Sequence, residues 1–389
     1  MKKRKMPEYL EMKTKEHQSA SRPFLVWYAL AWFLLLIALA FVMRLPPQDI
    51  NSEVTKQQVL SQRSSFQLMN TDPLSYIGLG TYLARIEEGT VIFMDVLGQV
   101  QQTYEIPFRE AEITSSGGKL FIKSDLSLNL IMFQPQSEAI IFETDSIVEN
   151  IEAAPDRLLL LQKSTDSLGE LNVYDKNQSQ ALLTLSFFES GYPLDMTFHA
   201  DGKSFDLSLI NVNQAQPCTV LQRYNEWGEK VSEMFLPESE LLPGIYLLND
   251  KCTALFNNEK VFLVDIIKQE ILYQASFNKI TDLALATNSL LLLADKSDKL
   301  ELQILRESAE SFSFEPVDDF YKTDGEIILA NSPETIFLAQ DKLLRAYEIS
   351  SGTLVAEIEL AESAVNLIVQ DNHTLLVLTE QNGYLYSLD

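Results

Sequence analysis

The stretch RAYEISSGTLVAEIEL, residues 345–360, reads as a strand, a tight turn around Ser350–Gly352 and a second strand. β-Branched and aromatic residues flank a Ser-Ser-Gly break, the pattern of a short hairpin. The unit recurs. Aligned on the polar residue that ends its first strand, it returns at Asp95 in VIFMDVLGQV, Gln134 in LIMFQPQSEA and Asp175 in LNVYDKNQSQ. It continues at Asn225 in LQRYNEWGEK, Asp265 in VFLVDIIKQE, Arg306 in LQILRESAES, Glu348 itself and Asp389 in GYLYSLD. The successive gaps are 39, 41, 50, 40, 41, 42 and 41 residues. Such regularity belongs to repeat architectures.

A second comb of turn residues interleaves with the first: Gly80, Gly117-Gly118, Pro155-Asp156, Asp201-Gly202, Asn249-Asp250, Asn288-Ser289, Ser332-Pro333 and Asp371-Asn372. Gly, Pro, Asn and Asp suit tight hairpins because they supply φ > 0 or a preset φ. Apolar runs follow most of these marks, such as KLFIKS, RLLLLQ, SLLLLA and HTLLVL. A third set of breaks, among them Glu88-Gly89, Asn257-Asn258 and Lys296-Ser297-Asp298, ends those runs. Each unit of about 41 residues therefore holds four strands and three turns, which is the blade of a β-propeller. The eight marks predict an all-β, eight-bladed β-propeller over residues 64–389. Seven blades is the alternative, because the third gap is stretched and Arg306 is the weakest mark. The stretched gap fits a longer loop around INVNQAQPCT in the fourth blade. Asp389 stands where the third strand of the last blade should finish. SSFQLM, residues 64–69, precedes the first blade and is expected to supply the missing fourth strand, since an open edge is a liability.

Ahead of the repeat lies FLVWYALAWFLLLIALAFVM, Phe24 to Met43, twenty residues without a charge. At a rise of ~1.5 Å per residue this matches a bilayer core of ~30 Å. Trp27 and Tyr28 sit near one end, where amphipathic rings favour the interface, and Trp32 lies within the run. Residues 1–44 hold eight Lys and Arg against three Glu, most of them before the apolar run. The positive-inside rule then places a tail (1–22) in the cytoplasm, a membrane helix (23–44), and a linker (45–63) and propeller outside. Ala38-Leu39-Ala40 resembles a signal-peptidase site. The apolar run continues through Met43, so an uncleaved anchor is expected.

The whole chain carries 30 basic and 55 acidic residues, a net charge of −25. Beyond residue 44 there are 22 basic and 52 acidic residues, a net of −30. This excludes sequence-independent binding to nucleic acid and an electrostatic grip on anionic lipid. Cys218 and Cys252 form no CxxC pair, and two buried thiols are expected rather than a disulfide scaffold. Three histidines, His17, His199 and His373, stand in no metal-ligand spacing, and the last two read as hydrated turn residues. No GxSxG elbow, P-loop or GxGxxG occurs. Asp318-Asp319 is a carboxylate pair without a visible partner. DKSDKLE, 295–301, lacks the glycine and terminal glutamate of a calcium loop and reads as a hairpin.

Residues 346–352, AYEISSG, resemble the docking repeat of quinoprotein-type propellers, roughly Ala-x-Asp-x-x-Thr-Gly-x-x-x-Trp. Ala346 and Gly352 match, Glu348 stands for the acid, Ser351 for the threonine and Ala356 for the tryptophan. In LVDIIKQEILY, Asp265 fits the acid and Tyr273 replaces the tryptophan. The basic tail, single anchor and external propeller together are similar to Gram-positive envelope propeller proteins, and more distantly to quinoprotein-like scaffolds of envelope assembly. The resemblance implies a fold without naming a ligand. Trp227, the only tryptophan of the propeller, falls in a peripheral hairpin, so no quinone cofactor is expected, and no metal. The expected function is non-enzymatic: a membrane-anchored scaffold for a protein partner with a basic surface. The rivals are an envelope glycan hydrolase or lyase using channel carboxylates, and a ligand-sensing ectodomain.

Overall fold

Second strands of the repeats are largely apolar, as in Arg157–Gln162 or Thr335–Gln340, and their side chains are buried on both faces. A strand buried on both sides must lie between two layers, and here those layers are the neighbouring blades. The computed structural model describes residues 58–389 except 69–71, 108–110, 125–126, 136, 177, 238, 309–310 and 323–324. Among them the strands form eight four-stranded antiparallel sheets, so the chain has eight blades. Blades 1 to 7 are built from residues 77–105, 112–143, 148–187, 192–235, 244–276, 280–321 and 327–359, each in simple up-and-down order. Fourth strands are half exposed and alternate accordingly: in Ala181–Phe187, every second residue faces solvent.

Blade 8 takes its first three strands from residues 366–388 and its fourth from the start of the ring. The closing strand is Leu60–Gln67, paired antiparallel with Asn382–Leu388 from Leu60 opposite Leu388 to Gln67 opposite Asn382. It extends four residues further towards the N-terminus than the expected SSFQLM and stops before Leu68. The extension has a physical reason: Leu60 is buried among Leu388, Tyr386 and Leu360. A register shift between Gln62 and Ser64 leaves Arg63 outside the ladder, and its guanidinium reaches the Asp389 carboxylate at 2.5 Å. Asp389 and Val59 exchange backbone hydrogen bonds at 3.1 Å in both directions.

The first strands of adjacent blades line the inside of the ring and approach one another at seven of its eight junctions. Between blade 5 (Gly244–Asn249) and blade 6 (Ile280–Ala286) the first strands come together least, while the outer parts of the two blades share one buried core. No helix among the described residues is long and apolar enough to cross a membrane. The expected anchor, with Phe24, Trp27, Tyr28, Trp32 and Met43, lies outside the described residues.

Candidate functional site

The top face of the ring is the one on which every first strand begins. It carries the connections between blades and the turns between second and third strands. Near this face the first strands of blades 3, 4 and 6 share a device. In each, one residue is left without a partner in the ladder: Glu149, Leu194 and Thr281. The bulge turns the next residue, an Asn or Asp, out of the regular alternation. These residues are Asn150, Asp195 and Asp282. In the first two, Oδ1 accepts the amide hydrogen of the following residue, Ile151 at 2.8 Å and Met196 at 2.9 Å. Asn150 Nδ2 also donates to Asp195 Oδ1 at 2.7 Å, and Ile245 N donates to Asp195 Oδ2 at 3.1 Å. Asp195 thereby joins blades 3, 4 and 5.

Blade 5 breaks the series with Gly244. A side chain at this position would meet the Phe256 ring at 2.4 Å, so the ring occupies the space that Asn or Asp fills elsewhere. Phe256 stacks on Tyr246 with centroids 4.9 Å apart, and the Tyr246 hydroxyl reaches across to Leu283 O at 3.4 Å. Above this floor opens a wide-mouthed cleft of about 550 Å3, centred on blades 5 and 6 and reaching to blades 3 and 4. Its lining includes Asp195, Asp282, Phe256, Leu283, Asn257 and Asn258. Its size falls within the range of ligand pockets.

Burial pushes the Asp195 carboxyl above its ordinary range, against the pull of its three donors. Deeper in the same wall, Glu152 is pushed up to about 7, chiefly by burial. The Ser116 hydroxyl, donating at 3.0 Å, opposes that rise, and the charge of Asp195 adds to it. Burial likewise raises the Tyr246 phenol, helped by Asp195, Asp282 and Glu152. The folded state therefore holds a proton on Glu152 that the unfolded chain releases near 4.5. By linkage, stability from this group falls as pH rises from about 4.5 through 7, by up to about 3 kcal/mol. Glu152→Gln is expected to flatten the pH dependence of denaturant midpoints in that window. An unchanged slope would remove the assignment.

At the opposite end of the blade 4 first strand, His199 is not a hydrated turn residue. It is buried, and its Nε2 lies 2.9 Å from Asp206 Oδ1. Asp206 is 0% exposed and also accepts from Arg223 Nε at 2.7 Å, Arg223 Nη2 at 2.8 Å and Thr253 Oγ1 at 2.8 Å. Arg223 Nη1 reaches Asp250 O at 2.8 Å. Burial alone would raise the Asp206 pKa; Arg223 and then His199 outweigh it and hold the group below its ordinary value. Thr253 belongs to blade 5, so the set clamps blades 4 and 5 together. It is closed to substrate, and Thr253, the hydroxyl within it, is already committed to Asp206.

The eight repeat marks each stand within one residue of the end of a third strand. The chemistry of six of them is that of turn acceptors. Asp95 Oδ1 accepts from Leu97 N and Gln99 N, Asn225 Oδ1 from Trp227 N and Glu229 N, and Asp265 Oδ1 from Ile267 N and Lys268 N. Glu348 accepts from the Ser351 hydroxyl, and Glu348 O from Gly352 N. Asp175 O and Gln134 O accept from Gln178 N and Ser137 N. Arg306 faces Glu315 across the outer pair at 3.7 Å. None of these marks lines the cavity. Trp227 is 71% exposed on the turn, Cys218 and Cys252 are buried as thiols, and burial pushes the Cys252 thiol up to about 12. Asp318 serves as an acceptor for Tyr347 Oη at 2.5 Å and Arg345 Nη1 at 3.2 Å, tying blade 6 to blade 7. Asn150, Asp195, Gly244 and Asp282 were not among the residues the sequence singled out. Their signal was a shared column, five or six residues ahead of the second comb of turns.

Comparison with solved structures agrees with the propeller. BamB from Moraxella catarrhalis superposes with a TM-score of 0.53 at 13% identity, covering 84% of this chain and 99% of that one. The computationally designed Ika8 protein gives 0.53 at 12% identity, covering 85% and 99%. At such identities the likeness concerns the fold alone. No curated protein matches the chain. The chain matches, over residues 51–386, the family described as "Family of unknown function (DUF5711)", and it belongs to that family.

Proposed function

We propose that the protein is a non-enzymatic scaffold, anchored by residues 24–43 with its propeller outside the cell membrane, that binds a protein partner through the top face. The observation that carries this reading is a group of exposed apolar side chains on that face around blade 4: Phe188, Tyr192, Val212 and Leu241. Exposed apolar groups held together on a rigid frame mark an interaction site. Here hydrogen bonds tie together the loops that carry them. Asn211 Nδ2 donates to Ser190 O at 3.0 Å and Asn213 Nδ2 to Glu189 O at 3.1 Å, fixing the loops of Phe188 and Val212 to each other. Asn257 Nδ2 donates to Leu241 O at 2.9 Å, joining the patch to the cavity edge. The acidity of the chain beyond residue 44 supports a basic partner, which would be attracted at a rate that falls with salt.

Photo-cross-linkers placed at Tyr192 and, on the opposite face, at Trp227 test this in the native membrane. A protein adduct is expected at 192 and not at 227, and its yield should fall as salt rises. Equal labelling at both positions, or turnover of a glycan by the intact protein, would remove the scaffold reading.

A further inference from the structure

We infer that the cavity between blades 5 and 6 receives an arginine side chain of the protein partner, with the neighbouring apolar patch holding the residues that flank it. This rests on the top face being the binding face. Three independent features converge. The first is geometric: the first strands of blades 5 and 6 come together least, and a cleft opens above Gly244 and the Phe256 ring that takes the place of an Asn or Asp side chain there. The second is chemical. The cleft has two carboxylates, Asp195 and Asp282, and the Phe256 ring in its lining. A guanidinium is planar, weakly hydrated and stacks on aromatic faces, so it suits such a slot better than an ammonium. Asp195 is already committed to Asn150, Met196 N and Ile245 N, whereas the more exposed Asp282 accepts from the Leu283 amide and is the principal partner of the incoming cation. The third is context: Tyr192 stands two residues before the cavity-lining Leu194, and Leu241 is bonded to the cavity-lining Asn257. An arginine with apolar neighbours in its own chain therefore meets a charged slot and an apolar shelf at once.

The test uses the full chain in detergent micelles and a fluorescein-labelled acetyl-Leu-Arg-Leu-amide probe read by anisotropy, with citrulline replacing arginine as the neutral control. The arginine probe is expected to bind saturably, and the citrulline probe about tenfold more weakly, the scale of one charge-assisted hydrogen bond. Asp282→Asn should weaken the arginine probe by a similar factor without changing the melting temperature. Thr281→Lys, which supplies a cation within the chain itself, should abolish binding; because it also removes the Thr281 hydroxyl bond to Leu293 O at 2.9 Å, Thr281→Val, which loses that bond and adds no charge, should still bind the arginine probe. Absence of saturable binding, equal binding of both probes, or full binding by both Asp282→Asn and Thr281→Lys would overturn the inference. If the cross-link at Tyr192 persists in that case, the binding face stands and only the arginine slot is lost; if it is absent too, the reading of the face falls with it.

Discussion

Deleting residues 60–67 should abolish cooperative folding of the propeller. The strand is fourth in blade 8, and its removal exposes the whole hydrogen-bonding edge of Asn382–Leu388. It also removes two anchors. Leu60 is buried in the core shared by blades 7 and 8. Phe66 lies where side chains on Gly98 of blade 1 and Gly383 of blade 8 would be, at 2.4 and 2.5 Å, so it fills the junction at which the ring meets itself. Losing an aliphatic and an aromatic anchor costs roughly 2–5 kcal/mol each, and each backbone hydrogen bond contributes about 1 kcal/mol. The total, on the order of 10 kcal/mol, is as large as the whole stability of a typical domain. Circular dichroism and denaturant titration should show a broad transition or none. A synthetic peptide spanning residues 58–68, added in trans, should restore a single sharp transition. A deletion that still melts sharply would mean that the ring does not depend on this strand for closure.

That closure was legible in the sequence because it is arithmetic. Four strands per repeat, with one missing at Asp389 and one spare before blade 1, leave a single solution. The blade count was legible because turn chemistry is local: Asp95, Asn225 and Asp265 each cap amides within four residues. The four-residue extension to Leu60 was missed because its reason, burial against Leu388 and Leu360, is distant in sequence. The cavity column was missed for a different reason. The unpaired residues Glu149, Leu194 and Thr281 break the two-residue period of the first strands, so Asn150, Asp195 and Asp282 fall out of phase with any alternation. His199 was misread as hydrated because its neighbours are assembled by topology. Asp206 and Arg223 lie on adjacent strands of its own blade, and Thr253 comes from the next.

The same assembly makes Asp206 a sensitive position for blades 4 and 5. Asp206→Ala leaves Arg223 buried with its Nε donor unanswered and its Nη2 held only by Thr253 Oγ1 at 3.3 Å, and removes the carboxylate partner of His199 and Thr253. Breaking a buried pair on one side costs roughly 3–5 kcal/mol, because the remaining charge stays desolvated. For a chain of this size that corresponds to a fall in Tm of roughly 4–7 °C. Replacing both partners tells a different story. Asp206→Leu with Arg223→Met removes the charge together with its counter-charge, and apolar groups in their place recover much of the loss. The double variant is therefore expected to melt above Asp206→Ala, and the double-mutant cycle built from the Leu and Met singles should give a coupling well outside additivity. Acid adds a second signature. The folded pKa of Asp206 lies below its ordinary value, so its contribution is complete above the carboxylate range and fades as pH falls through the lowered value. The stability difference between wild type and the double variant should accordingly shrink in acid. Additive single losses, or a difference that stays constant down through that range, would show that the cluster is packed filler and not a charged clamp between the two blades.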